Sequence, residues 1–161
     1  MTLIIGVAAD EAEAVRRISR KVLADVPPYR PDPEDYAWCL PDGERIVVGA
    51  YDHGTLAGFC TVDTIDQFRD LAHVPDSPAE TCYVSALALE PELRGQGIGH
   101  LMLAEAVRRA RDRNWKYASG HFREGASERA ARRVLRDIIK AEPVRGHLGS
   151  WETYHYILAR L

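Results

Sequence analysis

The chain has 161 residues, of which 46% are apolar and 28% charged, the balance of a folded domain rather than of a disordered segment. This length suits one domain with its own core, so we expect a single domain over residues 1–161. No run approaches the roughly 18 consecutive apolar residues of a membrane-spanning helix. The first residues also lack the basic and apolar regions of a secretory signal. We therefore expect no membrane partner.

The cysteines and histidines show no metal-binding pattern. Cys39, Cys60 and Cys82 are odd in number and far apart, which argues against a disulfide framework and against a zinc site. The six histidines lack the HxH, HxxxH and HExxH spacings of metal ligands. We predict that the protein uses no metal and that it resides in a reducing cytoplasm.

The net charge of −3 is unevenly distributed. Residues 1–93 carry 7 Lys/Arg and 17 Asp/Glu, whereas residues 94–161 carry 14 Lys/Arg and 7 Asp/Glu. A basic second half favours an anionic ligand there, although solvated helix faces explain most single arginines equally well. No basic run is interleaved with aromatic residues, so we expect no nucleic acid partner.

The first half of the chain predicts a strand, a helix and a hairpin. Residues 3–9 read as a strand, and Asp10 with Glu13 predicts the capped start of a helix that ends before Pro27. Residues 25–44, rich in proline and acid, predict a loop with a short helix near Trp38. Two strand-like runs then flank His53-Gly54, which predicts a hairpin. An irregular connection should follow over residues 65–80.

The second half predicts alternating strands and helices. Residues 81–90 read as a central strand, and a glycine-rich turn leads from them into a helix. Residues 115–122 predict a fifth strand. An apolar stripe from Ala130 to Ile139 predicts a further helix, closed by Pro143, and the last eleven residues predict a final strand. This order indicates a mixed α/β layer around one sheet.

The stretch "RGQGIG", residues 94–99, places three glycines in front of a helix. A helix N-terminus carries unpaired N–H groups and the positive end of the helix dipole, and glycine keeps side chains away from them. Such a turn is typical of a phosphate-binding site. The Walker motif is excluded because His100-Leu101 follows Gly99, and the dinucleotide fingerprint has a different glycine spacing. A tight turn with packing glycines is the alternative.

The same stretch resembles the GNAT superfamily of acyl-CoA-dependent N-acyltransferases. Its signature Q/R-x-x-G-x-G/A is matched by Arg94-Gly95-Gln96-Gly97-Ile98-Gly99, between a strand ending "LALEP" and a long helix. The resemblance implies a mixed α/β (α+β) fold with a mostly antiparallel sheet of six to seven strands. That sheet would be splayed between strands 4 and 5 and flanked by about four helices.

The resemblance also implies the ligands. Acetyl-CoA or another acyl-CoA would be the co-substrate, and an amine on a small molecule, peptide or protein would be the acceptor; members are often homodimers. Backbone N–H groups of the turn would bind the CoA pyrophosphate, with Arg94 beside it, and the fourth strand would pair with the pantetheine arm. The implied cofactor-binding residues are Leu87, Ala88, Leu89, Arg94, Gly95, Gln96, Gly97, Ile98, Gly99, His100, Ser127 and Arg133.

One family feature is absent. In the family pattern N-x-x-A-x-x-(L/F)-Y-x-x-x-G-F, the tyrosine protonates the departing thiolate. Here Ser127 stands at the Asn and Val134 at the Tyr, and Ile138-Ile139 replaces Gly-Phe. Either another group supplies the proton, or the thiolate leaves with help from N–H groups and solvent. The absence keeps open a second function, that of a non-catalytic acyl-CoA-binding regulatory module.

Direct acyl transfer needs a base for the amine proton and hydrogen bonds to the tetrahedral oxyanion. Tyr83 and Ser85 alternate on the fourth strand and should share a face, where relatives carry groups that point to the acceptor. His121 ends the fifth strand, and histidine titrates near neutral pH. These three are our catalytic candidates, with ordinary packing and strand-end roles as the alternative. Glu90, at the strand end, is assigned a turn role rather than base catalysis.

In the resembled family, the first helices and the segment between strands three and four line the acceptor side, and these correspond here to residues 25–44 and 63–80. Residues 25–44 here contain six acids against Arg30, and residues 63–80 contain five against Arg69. The hypothesis is a cationic amine acceptor, such as a polyamine, an aminoglycoside-like sugar, or a basic amino acid or peptide. Solvated loop acids are the alternative.

Overall fold

One sheet of seven strands organises the computed structural model, which describes residues 2–23, 34–65, 77–146 and 151–161. The strands are β1 (Thr2–Gly6), β2 (Ile46–Asp52), β3 (Thr55–Thr64), β4 (Thr81–Leu89), β5 (Tyr117–Arg123), β6 (Asp137–Arg145) and β7 (Thr153–Arg160). Their order in the sheet is β1-β2-β3-β4-β5-β7-β6, and all neighbours are antiparallel except β4 and β5. The predicted mostly antiparallel α/β fold is confirmed.

The α-helices among the described residues are α1 (Ala12–Val22), α2 (Ile98–Asp112) and α3 (Ala126–Val134), with short 3-10 turns between elements. α2 and α3 pack on one face of the sheet, where Met102 and Leu103 join a core with Val48 and Val84. α1 covers part of the other face. None of these helices is long and apolar enough to cross a membrane.

The start of α1 differs from the prediction. A 3-10 turn over Ala9–Glu11 precedes the helix, and the Glu11 carboxylate accepts a hydrogen bond from the Ala8 N–H at 3.0 Å. The N-cap of this turn is Ala8 and that of α1 is Glu11, so neither is Asp10, because the 3-10 turn begins before the residue that the Asp10 and Glu13 pattern indicates. The short helix at Ala37–Cys39 and the hairpin turn at His53-Gly54 follow the predictions.

The region after Val134 differs from the prediction. The predicted helix through Ile139 is wrong, because α3 ends at Val134 and β6 begins at Asp137. Ile138 packs on the core and Ile139 is 53% exposed, so the strand alternates where a helix would not. Two adjacent isoleucines fit either period, and pairing with β7 decides between them. Pro143 lies within β6, an edge strand, where a missing N–H is tolerated.

β4 changes its pairing partway along its length. Opposite β3, Val62 faces Val84 and Thr61 faces Ala86, so Ser85 is the extra residue of a β-bulge. β5 pairs only with the first four residues of β4, and the ladder ends at Val84 and Gly120. Residues 85–89 therefore have a strand partner on the β3 side alone. This is the predicted separation of strands 4 and 5.

Candidate functional site

The turn before α2 presents amide groups that lack partners. Gly95 and Gly97 have φ values of 78° and 80°, in the left-handed region that favours glycine. The Leu101 N–H donates to the Gly97 carbonyl at 3.2 Å. Within the described ranges, no acceptor is found for the N–H groups of residues 95–100. No atom comes within 4 Å of where a Cβ would stand on any of the three glycines, so the cradle is open.

Side chains at the turn link it to the end of β4. The Arg94 Nε donates to the Leu89 carbonyl at 3.1 Å, and the Gln96 side-chain amide donates to the Glu92 carbonyl at 3.3 Å. His100 Nδ1 is buried and has no hydrogen-bond partner among the residues described. The positive end of α2 therefore carries a guanidinium, unpaired amides and an imidazole with unused hydrogen-bonding capacity, a set suited to a diphosphate.

The one-sided stretch of β4 runs directly into this turn. Residues 85–89 lack a β5 partner, and a 3-10 turn over Pro91–Leu93 connects them to the glycines. A strand edge of this kind can pair with an extended ligand through its N–H and C=O groups. The Glu90 N–H donates to Ala57 on β3, so by strand alternation Ala88 also bonds toward β3. Leu87 and Leu89 instead direct their backbone groups to the open edge, where the Leu89 carbonyl accepts from Arg94.

A second polar cluster lies where β4 and β5 separate. The Tyr83 hydroxyl and His121 Nδ1 are 2.8 Å apart, in a hydrogen bond whose direction depends on the histidine tautomer. Val84 and Gly120 form the last pair of the ladder, so His121 is the first residue of β5 beyond it. The structure thus brings together two of the three predicted catalytic candidates, which are 38 positions apart.

Tyr156 on β7, which is not one of the three catalytic candidates, completes this cluster. Its ring centroid lies 5.1 Å from that of His121, and its side chain is 1% exposed. Burial raises the pKa of Tyr156, while a hydrogen bond with Ser119 acts in the opposite direction. The phenol therefore stays neutral at physiological pH. The β5–β7 register, which places His121 opposite Tyr156, is the signal that would have found it.

Ser85, the third candidate, is held differently. It is 8% exposed, and its hydroxyl donates to the Thr61 carbonyl at 3.4 Å, across the bulge. Among the described contacts, none joins Ser85 to Tyr83 or His121. Its hydroxyl is thus engaged within the sheet.

Glu90 has the structural role that the sequence indicates. Its N–H donates to the Ala57 carbonyl at 2.9 Å, and its carboxylate lies 2.9 Å from Lys21 Nζ and 3.0 Å from an Arg17 nitrogen. The hydrogen bond from Lys21, followed by that from Arg17, lowers the pKa of Glu90 despite partial burial. Such a carboxylate is a poor base at neutral pH, and it fastens α1 to the end of β4.

α3 carries the remaining predicted residues. Ser127 lies in its first turn, and Arg133 is exposed in its last turn. Val134, at the position of the family tyrosine, is the last residue of the helix. Among the described contacts, none links Ser127 or Arg133 to the glycine turn, so their assignment to the cofactor stays a prediction.

The acidic loops are only partly within the described residues. Five of the acids lie outside them: Asp25, Asp32, Asp66, Asp70 and Asp76. Four others are ion-paired with basic side chains: Asp35, Asp42, Asp63 and Glu80. These pairs cancel part of the charge behind the cationic-acceptor hypothesis. In the described ranges, no group of three or more His, Cys, Asp or Glu side chains is placed to hold a metal ion.

Solved structures share this fold at low sequence identity. The ribosomal-protein-S18-alanine N-acetyltransferase from Escherichia coli matches with a TM-score of 0.71 and 13% identity, covering 99% of this chain and 94% of its own. An agmatine N-acetyltransferase matches with a TM-score of 0.74 and 15% identity over 100% of both chains. The PaiA N-acetyltransferase from Thermoplasma acidophilum, solved with coenzyme A, gives 0.64 and 14%, covering 100% of this chain and 99% of its own.

The family is shown by sequence. No curated protein matches the chain. The model of the acetyltransferase (GNAT) family, however, matches residues 12–136, which include α1, the split of β4 and β5, the glycine turn and α3. The chain therefore belongs to the GNAT family of acetyltransferases.

Proposed function

We propose that this protein transfers an acetyl or other short acyl group from acyl-CoA to a primary amine, by direct transfer in a ternary complex. The observation that carries the proposal is the row of unpaired N–H groups over residues 95–100, at the end of a strand with one open edge. Acyl-CoA joins a diphosphate to an extended arm that contains amide groups. The diphosphate matches the unpaired amides of the turn, and the arm matches the open edge of the strand before it.

The residues present fit acyl-CoA. When bound, the cofactor supplies an acyl group activated as a thioester. The turn amides hold the pyrophosphate with help from the helix dipole, and Arg94 adds a positive charge beside it. Leu87 and the Leu89 N–H, which face the open edge of β4, align the arm through backbone hydrogen bonds. The arm then runs back along β4 toward the split at Val84, and Ser127 and Arg133 of α3 stay predicted cofactor contacts.

The acceptor lies on the side of Tyr83 and His121. Proteins of this fold are named for very different acceptors, an alanine of the ribosomal protein S18 and agmatine. Both present a primary amine, and this is the acceptor class that we propose. A cationic acceptor is the narrower hypothesis, and it depends mainly on loop acids outside the described residues. A cytoplasmic location and a homodimer stay predictions.

The second candidate function is a non-catalytic acyl-CoA-binding module. Val134, which replaces a proton-donating tyrosine, is the observation in its favour. Both functions require acyl-CoA binding, and only the first requires thiol release in the presence of an amine.

Cofactor placement is tested by titration calorimetry with acetyl-CoA. The Gly97→Glu variant adds a side chain and a negative charge to the cradle, where no atom lies within 4 Å of the new Cβ. Loss of two charge-assisted hydrogen bonds predicts roughly 100-fold weaker binding with the fold retained. Gly43→Glu is the matched control, because Gly43 also has a positive φ (89°) and open space but lies in another turn. Equal affinity in both variants would contradict the placement.

Turnover is tested by thiol release from acetyl-CoA with agmatine, spermidine and a peptide that begins with alanine. Release with at least one of them supports the transferase. Binding of acetyl-CoA without release from any amine supports the non-catalytic module. For a cationic acceptor facing acidic loops, the acceptor KM should rise with ionic strength, and a salt-insensitive KM would remove that narrower hypothesis.

A further inference from the structure

We propose that Tyr83 and His121 form one proton relay, which takes a proton from the attacking amine and returns it to the departing thiolate. The inference rests on the proposed function and assigns to this pair the role that Val134 leaves vacant. A single hydrogen-bonded pair would thus serve both proton transfers, instead of a separate base and a separate acid.

The split of the sheet places this pair at the reacting end of the cofactor. When the pyrophosphate of acyl-CoA is bound at the glycine turn, the pantetheine arm extends back along residues 85–89, which span roughly 16 Å as a strand. The arm then ends where β4 meets β5, at Val84 and Gly120. His121 is the next residue of β5, and its hydrogen bond to Tyr83 spans the two strands. We therefore expect the thioester of the bound cofactor to lie next to the His121 imidazole, at the end of the β4–β5 ladder.

Strand alternation sets the side from which the imidazole acts. Ala118 and Phe122 of β5 belong to the core beneath α2, so His121 points to the opposite face. Tyr83 and Tyr156 share that face with it, and their rings lie 6.1 Å and 5.1 Å from the imidazole centroid. Because both tyrosines are buried, they restrict the ring's orientation. The amine then approaches from the face that α2 and α3 leave uncovered.

The hydrogen bond between the two side chains lets the imidazole hold a proton temporarily. A phenol both donates and accepts, and each imidazole nitrogen does either according to tautomer. When Nδ1–H donates to the Tyr83 oxygen, Nε2 has a lone pair and acts as the base. After Nε2 takes a proton, the imidazolium still donates to the same oxygen. The 2.8 Å contact persists through the cycle, so no buried group loses its partner.

The proton transfers of the reaction balance without another reactant. The amine nitrogen forms a bond to the acyl carbon as one N–H proton moves to Nε2, and the C–S bond then breaks as that proton moves to sulfur. The products are the amide and the free thiol, and His121 returns to its starting state. An acceptor that enters as an ammonium ion first loses one proton to water. Imidazolium is in general a stronger acid than a thiol, so return of the proton to the departing thiolate is favourable.

Several titratable groups lie around His121 in the part of the chain that the structure describes. Tyr83 faces it from β4 and Tyr156 from β7. Glu142 on β6 lies opposite Tyr156 in register. Arg123, two residues along β5, is ion-paired with Glu152 at 2.9 Å.

The first test needs no acceptor. Imidazole resonances of His121, assigned by their loss in His121→Gln, are followed by NMR with and without acetyl-CoA. We expect them to shift when acetyl-CoA binds, and we expect the His121 titration to move in Tyr83→Phe. The control is Tyr117→Phe, the same change at the other end of β5, which should leave both unaltered. Binding by calorimetry without any His121 response would overturn the relay alone, whereas failure to bind would remove the proposed function and the relay together.

The second test uses whichever amine of the panel releases thiol. With a histidine base and a neutral amine both required, log kcat/KM for the acceptor rises with pH at a slope near two below the histidine pKa and near one above it. In His121→Gln we expect a slope near one throughout and a rate about 10²–10⁴-fold lower, with unchanged acetyl-CoA affinity.

A double variant shows whether the two side chains act as a unit. Tyr83→Phe alone should lose about tenfold in rate, and Tyr83→Phe/His121→Gln should be no slower than His121→Gln, because residues that act together are non-additive. An unchanged pH slope in His121→Gln, or additive losses in the double variant, would overturn the relay.

Discussion

The glycines inside the sheet and the glycines in front of α2 have opposite surroundings. A Cβ on Gly49 or Gly58 would stand 2.4 Å or 2.6 Å from a leucine side chain, so packing alone explains these two residues. A Cβ on Gly97 or Gly99 would meet no atom within 4 Å. The bare backbone at the turn is therefore not needed for packing. It keeps space open at the positive end of a helix, which is the condition for an anionic ligand.

Gly58→Ala has the largest expected effect on stability and tests the packing side of this comparison. Its Cβ would also stand 2.9 Å from the Ala88 carbonyl oxygen, and backbone cannot move away as a flexible side chain can. Overpacking of this kind costs about 1–3 kcal/mol. The measurement is the free energy of unfolding in urea, and wild-type stability would show that β3 and β4 separate easily here.

Gly99→Ala tests the other side and should change stability and binding in opposite directions. Gly99 lies in the first turn of α2 without a positive φ, so alanine should stabilise the helix by about 0.5 kcal/mol. The added methyl group occupies the cradle, and loss of one charge-assisted hydrogen bond predicts roughly tenfold weaker acetyl-CoA binding. Thermal melts and calorimetry of the same preparation measure both effects.

Gly43→Ala is the control for the affinity measurement alone, because its methyl group also enters open space at a distant turn, whereas its φ of 89° strains an alanine there and Gly99 has no positive φ. We expect acetyl-CoA affinity to stay at the wild-type value there. A Gly99→Ala protein that melts at a higher temperature and binds acetyl-CoA with wild-type affinity would contradict the assignment of the glycine turn to the cofactor.

The cofactor half of the site could be predicted from the sequence because its signal is local. Glycine spacing, the preceding strand and the following helix all lie within about 20 consecutive residues, and backbone groups need no particular side chain. The family pattern also predicted the separation of strands 4 and 5, which the short ladder ending at Val84 confirms.

The proton-transfer half could not be predicted in the same way, because it depends on register between distant strands. Tyr83 and His121 were separate candidates, and only the parallel pairing of β4 with β5 brings them within hydrogen-bonding distance. The α3–β6 boundary failed for a related reason. Ile138 and Ile139 satisfy both helical and strand periods, and the ladder with β7, many residues away, decides between them.

Glu90→Gln has the smallest expected effect and tests the connection between the sheet and the turn. The carboxylate joins α1 to the end of β4 through Lys21 and Arg17, and partly exposed pairs of this kind contribute about 0.5 kcal/mol. Because the folded-state pKa of Glu90 is lowered, its contribution is present above the unfolded value and is lost as the pH falls through the folded value. Glu90→Gln should therefore be less stable than wild type at pH 7 and equal to it once wild-type Glu90 is protonated.

Glu92→Gln is the control, since Glu92 is 68% exposed and lies 3.7 Å from Lys21, and it should match wild type at both pH values. Urea unfolding of the three proteins at neutral and acidic pH measures this, and an equal deficit of Glu90→Gln at both would assign the effect to packing rather than to charge.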